Sequence, residues 1–455
     1  MRRNPYPGGV RRGGTWPSQI IGLVGGLSWF VTIALPLGWL YVTLRPSHWP
    51  QAEDLPAARY ALLLLRSGLL GCAVASASVL LGWPAARLIG TSPWARKWAP
   101  LLLTLPLLIP PQVLYYAWGL LLLPTTSLGQ LLTRSDEVAA WVALLRAGTA
   151  LGCWYWPLCA LVIGQGWRRT DPDVWAQSKL EGGALQRWWW VGLPLLRSAI
   201  GSAWLLTFLL SVSEFSVFHL GAVDTLGTEF ATLYQLTGSP HAVAWAVLPL
   251  AVLAVLGGVL IDRFLRRTER SFDLHGVERV WPGWWALAGA AWMASAVVPV
   301  FLLIANVRGW RTFIRFGQLS WDGLLYSGAI AIGAATVALL VGIGILVQMN
   351  RGHRRMAMVM RLSAFFSALV PGSLVAAAMV LTFNRGVFAD YIYSQPWVVS
   401  LGHGARLAVL AVLVIQWVQA SLPSELRDLA DLDGADGLRG TFGIWLPGLW
   451  PAVVA

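Results

Sequence analysis

The chain has 455 residues, of which 57% are hydrophobic and only 12% are charged, about half the charged share of a soluble domain. With a mean hydropathy of +0.63, it is no ordinary soluble globular protein. The formal net charge of +12 is not a nucleic-acid footprint either, because the basic residues are distributed along the chain as membrane topology demands.

Apolar runs near the ~20 residues needed to cross a bilayer predict ten spans, at about 19–43, 61–83, 99–123, 140–165, 198–221, 243–261, 283–305, 321–348, 362–383 and 402–420. An eleventh starts near 448. All are predicted to be helices, because a helix satisfies its own backbone in lipid. The short alternating segments of an outer-membrane barrel are absent. With the N-terminus inside, 23 of the 33 lysines and arginines fall in segments 1–18, 84–98, 166–197, 262–282, 349–361 and 421–455, a positive-inside bias. Arg2, Arg3, Arg11 and Arg12 precede the first span, whereas Arg308, Arg311 and Arg315 fall on the predicted outer side and run against the bias. The first span is long and lacks a small-residue cleavage site, which reads as an uncleaved anchor. Cys72, Cys153 and Cys159 lie inside spans, so no disulfide framework is expected.

The spans carry an internal repeat. Arg66–Gly82 (RSGLLGCAVASASVLLG) aligns with Tyr326–Gly342 (YSGAIAIGAATVALLVG) at an offset of 260. Leu107–Leu114 aligns with Ala368–Val375, placing Pro110 over Pro371. Two polar loops, Asp171–Pro194 and Glu425–Pro447, align at Pro194 and Pro447. Six spans before residue 265 return the chain to the inside, so the repeats are parallel, related by an axis normal to the membrane. The expected fold is an all-α polytopic membrane protein of two parallel repeats of about six transmembrane helices. The first, 1–265, holds loop 166–197. The second, 266–455, holds four spans, loop 421–447 and the start of a fifth.

The second polar loop reads as two short helices around a break at Gly434, glycine tolerating the backbone angles of a helix end. Leu426, Leu429, Ala430 and Leu432 form an apolar side, and Asp428, Asp431 and Asp433 stay solvated. Leu446-Pro447 leads into the following helix. This loop resembles the coupling loop, or EAA motif, of ABC-importer permeases. Asp428 stands at the glutamate position, Leu429 and Ala430 at the alanines, Asp433-Gly434-Ala435 at the acid-Gly-Ala, and Leu446-Pro447 at the closing Leu-Pro. The first loop departs from the pattern: Gly182 or Gly183 precedes Leu193-Pro194 by one or two residues too few, and Ala176 or Gln177 takes the acidic position. Trp188, Trp189 and Trp190 are expected to anchor it at the interface.

The resemblance implies an inner-membrane permease without an ATPase of its own, its N-terminus cytoplasmic. A dimeric cytoplasmic ABC ATPase would hold ATP and Mg, and a periplasmic solute-binding protein would deliver substrate. Two fused halves resemble the iron(III) permeases most, then the thiamine permeases. Family members continue through two further spans after the second motif, which implies that this sequence is truncated. No G-x4-G-K-[ST] occurs; Lys97 and Lys179 are the only lysines, and neither follows a glycine. No cofactor box and no close histidine spacing that would hold a metal is present, so no catalytic, cofactor or metal residue is assigned.

Candidate translocation residues are few. Glu214 lies in the predicted fifth span with Ser211 three residues before it on the same face; an intramembrane acid is a functional hypothesis by default, set against an interhelical hydrogen bond. Pro110, Pro111 and Pro371 are expected to break or kink their helices. Arg66 and Arg146 lie near outer span ends, where they can snorkel. The rival reading is an ion-coupled secondary transporter, with Glu214 as its one candidate on an ion path. A membrane-embedded transferase would need clustered acids or histidines on a loop, and none is found.

Overall fold

The computed structural model describes residues 16–421, apart from 49, 51–54, 124, 133–134, 169, 171, 267–280, 308 and 351–352. Loop 421–447 beyond Ser421, the span starting near 448, the N-terminal arginines and Arg308 lie outside the described residues. All regular structure among the described residues is helical. Eight helices there are long and apolar enough to cross a membrane, or ten if each of two bent pairs is one span. Counted so, these ten overlap the ten predicted apolar runs, but the fifth, predicted at 198–221, lies about ten residues earlier, at Trp188–Val212.

In chain order, α1 (Trp16–Trp29) and α2 (Leu35–Val42) form the first span, joined by a π turn over Phe30–Ala34. Helix α3 (Ala57–Thr91) follows, then α4 (Pro93–Leu108), α5 (Pro111–Gly119), α6 (Ser127–Leu132) and α7 (Asp136–Arg168). Next come α8 (Pro172–Glu181), α9 (Ala184–Arg187), α10 (Leu193–Val212), α11 (Ser216–Leu220), α12 (Leu226–Thr237) and α13 (Pro240–Arg266). Beyond residue 280 lie α14 (Pro282–Trp292), α15 (Val298–Ala305), α16 (Trp310–Asn350), α17 (Arg354–Leu369), α18 (Gly372–Phe383) and α19 (Trp397–Ser421).

Proline accompanies three of the four π turns among the described residues and both helix breaks. π turns at Phe30–Ala34, Trp188–Gly192 and Met293–Val297 each end two residues before a proline, namely Pro36, Pro194 and Pro299. A proline ring clashes with the carbonyl four residues back. A widened turn relieves that clash, and the backbone N–H groups of Leu35, Leu193 and Val298 reach back five residues to Phe30, Trp188 and Met293. Pro110 and Pro371 act more strongly. The residue before a proline is pushed out of the helical region, and Ile109 (ψ 111°) and Val370 (ψ 154°) are extended. The chain therefore bends by 66° between α4 and α5 and by 114° between α17 and α18.

Arg311 and Arg315, expected in an outer loop, lie in the first turns of α16, whose 41 residues make a helix about 60 Å long. It outreaches the ~30 Å apolar layer, so a helical extension carries these charges.

Helix α3 packs along α7, and α16 along α19; α10 lies against both α3 and α7. The entering helices cross over: α1 packs on α16, and α14 packs on α3. Glycine makes the first crossing close. A Cβ on Gly25 would sit 2.5 Å from Gly344 Cα, and one on Gly344 would sit 2.8 Å from Gly25 Cα. Backbone approach through small residues is how helices associate where lipid removes the hydrophobic drive. Trp29, Ile33, Leu37, Val247, Ile345, Met360, Leu374 and Val412 share one buried cluster, which ties α1, α2 and α13 to α16–α19.

Candidate functional site

Of the two polar loops, the first is described. It folds as α8, a bend at Gly182–Gly183, then α9, which continues through the π turn into α10. Leu193 and Pro194, expected within loop 166–197, are the first residues of α10, so the Leu-Pro pair opens a helix that belongs to a candidate span. Gly183 faces open space, while a Cβ on Gly182 would meet the Gln186 side chain at 2.9 Å. Neither residue has positive φ, so the backbone alone does not require glycine there.

The root of this loop is a cluster of rings and guanidinium groups. Trp167 at the end of α7 meets Trp175 of α8 edge-on at 5.1 Å. Trp83 of α3 meets Trp188 at 4.5 Å and Trp167 at 6.0 Å. The Arg87 guanidinium lies 4.0 Å from the Trp167 ring centre and 5.0 Å from that of Trp175. Arg187 approaches the Trp175 ring at 5.4 Å. Cation–π contacts of this kind contribute about 0.5–2 kcal/mol each, rising as water is excluded. Helix α8 is thereby fixed to α3, α7 and the start of α10. Trp188 turns inward to this cluster, whereas Trp189 and Trp190 are exposed, so one of the three expected anchors serves packing instead. Sequence reading missed Arg87, Arg187, Trp167 and Trp175; their signal was a basic residue or tryptophan within a turn or two of span ends on the inside-charged side.

The loop residues Asp428, Ala430, Asp433, Gly434, Ala435, Leu446 and Pro447 lie outside the described residues.

Glu214 does not sit within a membrane helix. Helix α10 stops at Val212, and Glu214 occupies the short junction before α11. Its Oε1 accepts from the backbone N–H groups of Ser216 (2.8 Å) and Val217 (3.3 Å). A carboxylate satisfying the free donors of a helix start is a capping arrangement, which is why the fifth span ends earlier than its hydropathy implies. Ser211 is 1% exposed; its carbonyl accepts from Glu214 N at 3.2 Å. Tyr155 of α7, fully buried, lies within electrostatic reach of the Glu214 carboxylate and the Arg406 guanidinium of α19. Pro110 and Pro371 stand at the two helix breaks, as the residues immediately before α5 and α18.

Arg146 turns onto a neighbour within the bundle: its guanidinium stacks 3.8 Å from the Tyr115 ring centre and donates to the Tyr115 hydroxyl. Arg406 leans on the start of α18, where a Cβ on Gly372 would meet its Nη1 at 2.7 Å. Both arginines thus contact the second arm of a broken helix, and they are 260 residues apart. Among the described residues there is no group of three or more His, Cys, Asp or Glu able to hold a metal ion.

No protein-family model, curated protein or solved structure matches this chain.

Proposed function

We propose that the chain is the membrane permease of an ABC importer, built from two parallel permease halves that pass a small solute inward by alternating access. The observation that carries this reading is the recurrence of one helix series. Helix α3, the broken pair α4–α5 and α7 recur as α16, the broken pair α17–α18 and α19, at offsets near 260. Each series is preceded by a span with a π turn, and each such span crosses to pack on the long helix of the other series. Two like halves exchanging their first helices form a rocking pair with a path between them.

The loop α8–Gly182–Gly183–α9 supplies the contact point for an ATPase. It is compact, open around Gly183, and joined without interruption to α10. In this reading loop 421–447 is its counterpart, and both face the cytoplasm of a bacterial inner membrane. ATP binding and hydrolysis on the partner, with Mg, would provide the differential free energy that shifts the two states. No residue of this chain performs covalent chemistry in this mechanism. Iron(III), held by the external binding protein, is the substrate we favour, on the fused two-half layout.

The test is affinity purification of the tagged protein from its native membrane after mild crosslinking. A P-loop ATPase and a periplasmic binding protein should co-purify, and ligand assays on the latter would name the substrate. A good yield with neither would overturn the importer reading in favour of ion-coupled transport.

A further inference from the structure

Arg146 and Arg406 occupy matching places in the two helix series, and each lays its guanidinium on a glycine. A Cβ on Gly119 would meet Arg146 Nη1 at 2.5 Å and Cζ at 3.3 Å. One on Gly372 would meet the same atoms of Arg406 at 2.7 and 3.3 Å. Both Nε atoms are buried without an acceptor. What else the two cations meet differs. Gly119 is the last residue of α5, ahead of one 3₁₀ turn. Arg146 therefore lies towards the negative end of a helix, where a cation is favoured, and it also has the Tyr115 ring and hydroxyl. Gly372 is the first residue of α18. Arg406 therefore lies at the positive end of a helix, beside the backbone N–H groups of Gly372 and Ser373, which have no intrahelical acceptor.

Depth sharpens the contrast. Arg406 is the middle residue of the candidate span Trp397–Ile415, where a charge is costly unless it is paired or faces a water-filled cavity. Among the described residues, none makes an ion pair or hydrogen bond with it. It stands at the boundary between the two series. Leu410, one turn along α19, packs against the buried cluster of Leu114, Tyr115 and Tyr155. Tyr155 is 2% exposed and within electrostatic reach of Arg406, and its hydroxyl bonds to no described residue. The Ser373 hydroxyl, next to Gly372, is buried without a partner. Glu214 is also within reach of Tyr155, but its Oε1 is held by the N–H groups of Ser216 and Val217.

We infer that Arg406 contacts the transported solute at the break between α17 and α18, and that this solute carries a carboxylate or oxyanion group. Such a group would fit the guanidinium fork, accept from the free N–H groups that open α18, and engage the Ser373 and Tyr155 hydroxyls. Discontinuous membrane helices receive anionic groups at their N-termini in this way. A bare trivalent cation would be repelled, so ferric iron would cross only as a chelate of net negative charge. The inference rests on the reading that a path runs between the two halves, and it does not require an ATPase.

The test uses the full chain in detergent, with Cys72, Cys153 and Cys159 replaced by alanine and with S373C introduced. Two methanethiosulfonate reagents of similar size and opposite charge, a sulfonate and a trimethylammonium, are applied. Their rates are divided by those at S47C, an exposed position in the turn after α2. The sulfonate should then react about tenfold faster than the trimethylammonium. R406K should keep that preference, and R406Q should abolish it. With Arg406 intact, citrate or sulfate should slow labelling of S373C several-fold relative to chloride of equal ionic strength; this arm needs no arginine variant. Three results would each overturn the assignment: no labelling of S373C by either reagent, a charge preference unchanged in R406Q, or rates in citrate and sulfate equal to that in chloride. No partner protein takes part, so a failure here is distinct from a failure to recover an ATPase.

Discussion

The indole N–H of Trp29 donates to the Ser363 hydroxyl at 2.6 Å, across 334 residues of sequence. A matching contact runs the other way: Trp292 Nε1–H donates to the Leu102 carbonyl at 2.8 Å. Trp29 and Trp292 each end the helix before a π turn, and Ser363 and Leu102 each lie on the first arm of a broken pair. Interhelical hydrogen bonds in membranes average about 0.6 kcal/mol with a maximum near 1.7. W29F and S363A should each cost about 1 kcal/mol in denaturant unfolding, and the double variant little more than either alone. Additive costs would show that the two side chains do not act as a pair.

The crossing of α1 over α16 gives a sharper contrast between adjacent residues. Gly25 faces Gly344 backbone to backbone, whereas a Cβ on Gly26 would meet nothing within 4 Å. G25A should therefore separate the helices and destabilise the protein by about 1–3 kcal/mol. G26A should be neutral or slightly stabilising, since alanine is the better helix former by up to ~1 kcal/mol. Equal unfolding midpoints for the two variants would contradict the crossing.

The spans were legible because lipid enforces apolar runs of nearly fixed length, and the helix breaks because proline constrains its own neighbourhood. The exchange of α1 and α14 was not legible. Gly25 and Gly344 look like any small residues in an apolar run, and pairing is a property of faces brought together by the fold. Glu214 was misplaced for a related reason: Phe215, Val217 and Phe218 continue the hydropathy across a break that the carboxylate itself caps. The arginine–tryptophan cluster was hidden because its members come from four separated segments, and each alone resembles an interface anchor.

Arg59 and Glu229 form a two-pronged ion pair, with Nε–Oε1 and Nη2–Oε2 both at 2.8 Å. Their side chains are unequally exposed, 53% for Arg59 and 11% for Glu229. An arginine that open to water contributes modestly, about 0.2–1 kcal/mol. The pair nonetheless fixes α12 to the start of α3, beside the bond from Leu226 N–H to Ser67 Oγ. R59A leaves a mostly buried carboxylate uncompensated and should cost more than E229Q, which leaves a neutral amide. Parallel unfolding titrations decide this; the reverse order would mean that Glu229 is stabilised by something other than Arg59.

E214Q separates two transport mechanisms. An amide oxygen can still accept from Ser216 N–H, so under the importer proposal uptake should persist within about threefold, with a stability loss of at most ~1 kcal/mol, typical of a weakened cap. Under ion-coupled transport the same change removes the carboxylate assigned to the ion path. Uptake would then lose its dependence on the ion gradient. Uptake measured in vesicles with and without an imposed proton gradient distinguishes the two.

The importer proposal makes its most specific demand at Gly434, which lies outside the described residues. If loop 421–447 enters a groove on an ATPase, as we propose for both loops, an arginine in place of Gly434 has no room. G434R should leave membrane insertion and the amount of protein intact. ATP hydrolysis by the partner should continue at its basal rate while substrate uptake falls at least tenfold. G183R, at the open bend of the first loop, should reduce uptake less, because that loop lacks the acidic position and is shorter by one or two residues. Normal uptake by a protein carrying G434R would remove the coupling role from the loop and, with it, the main sequence argument for an ABC permease.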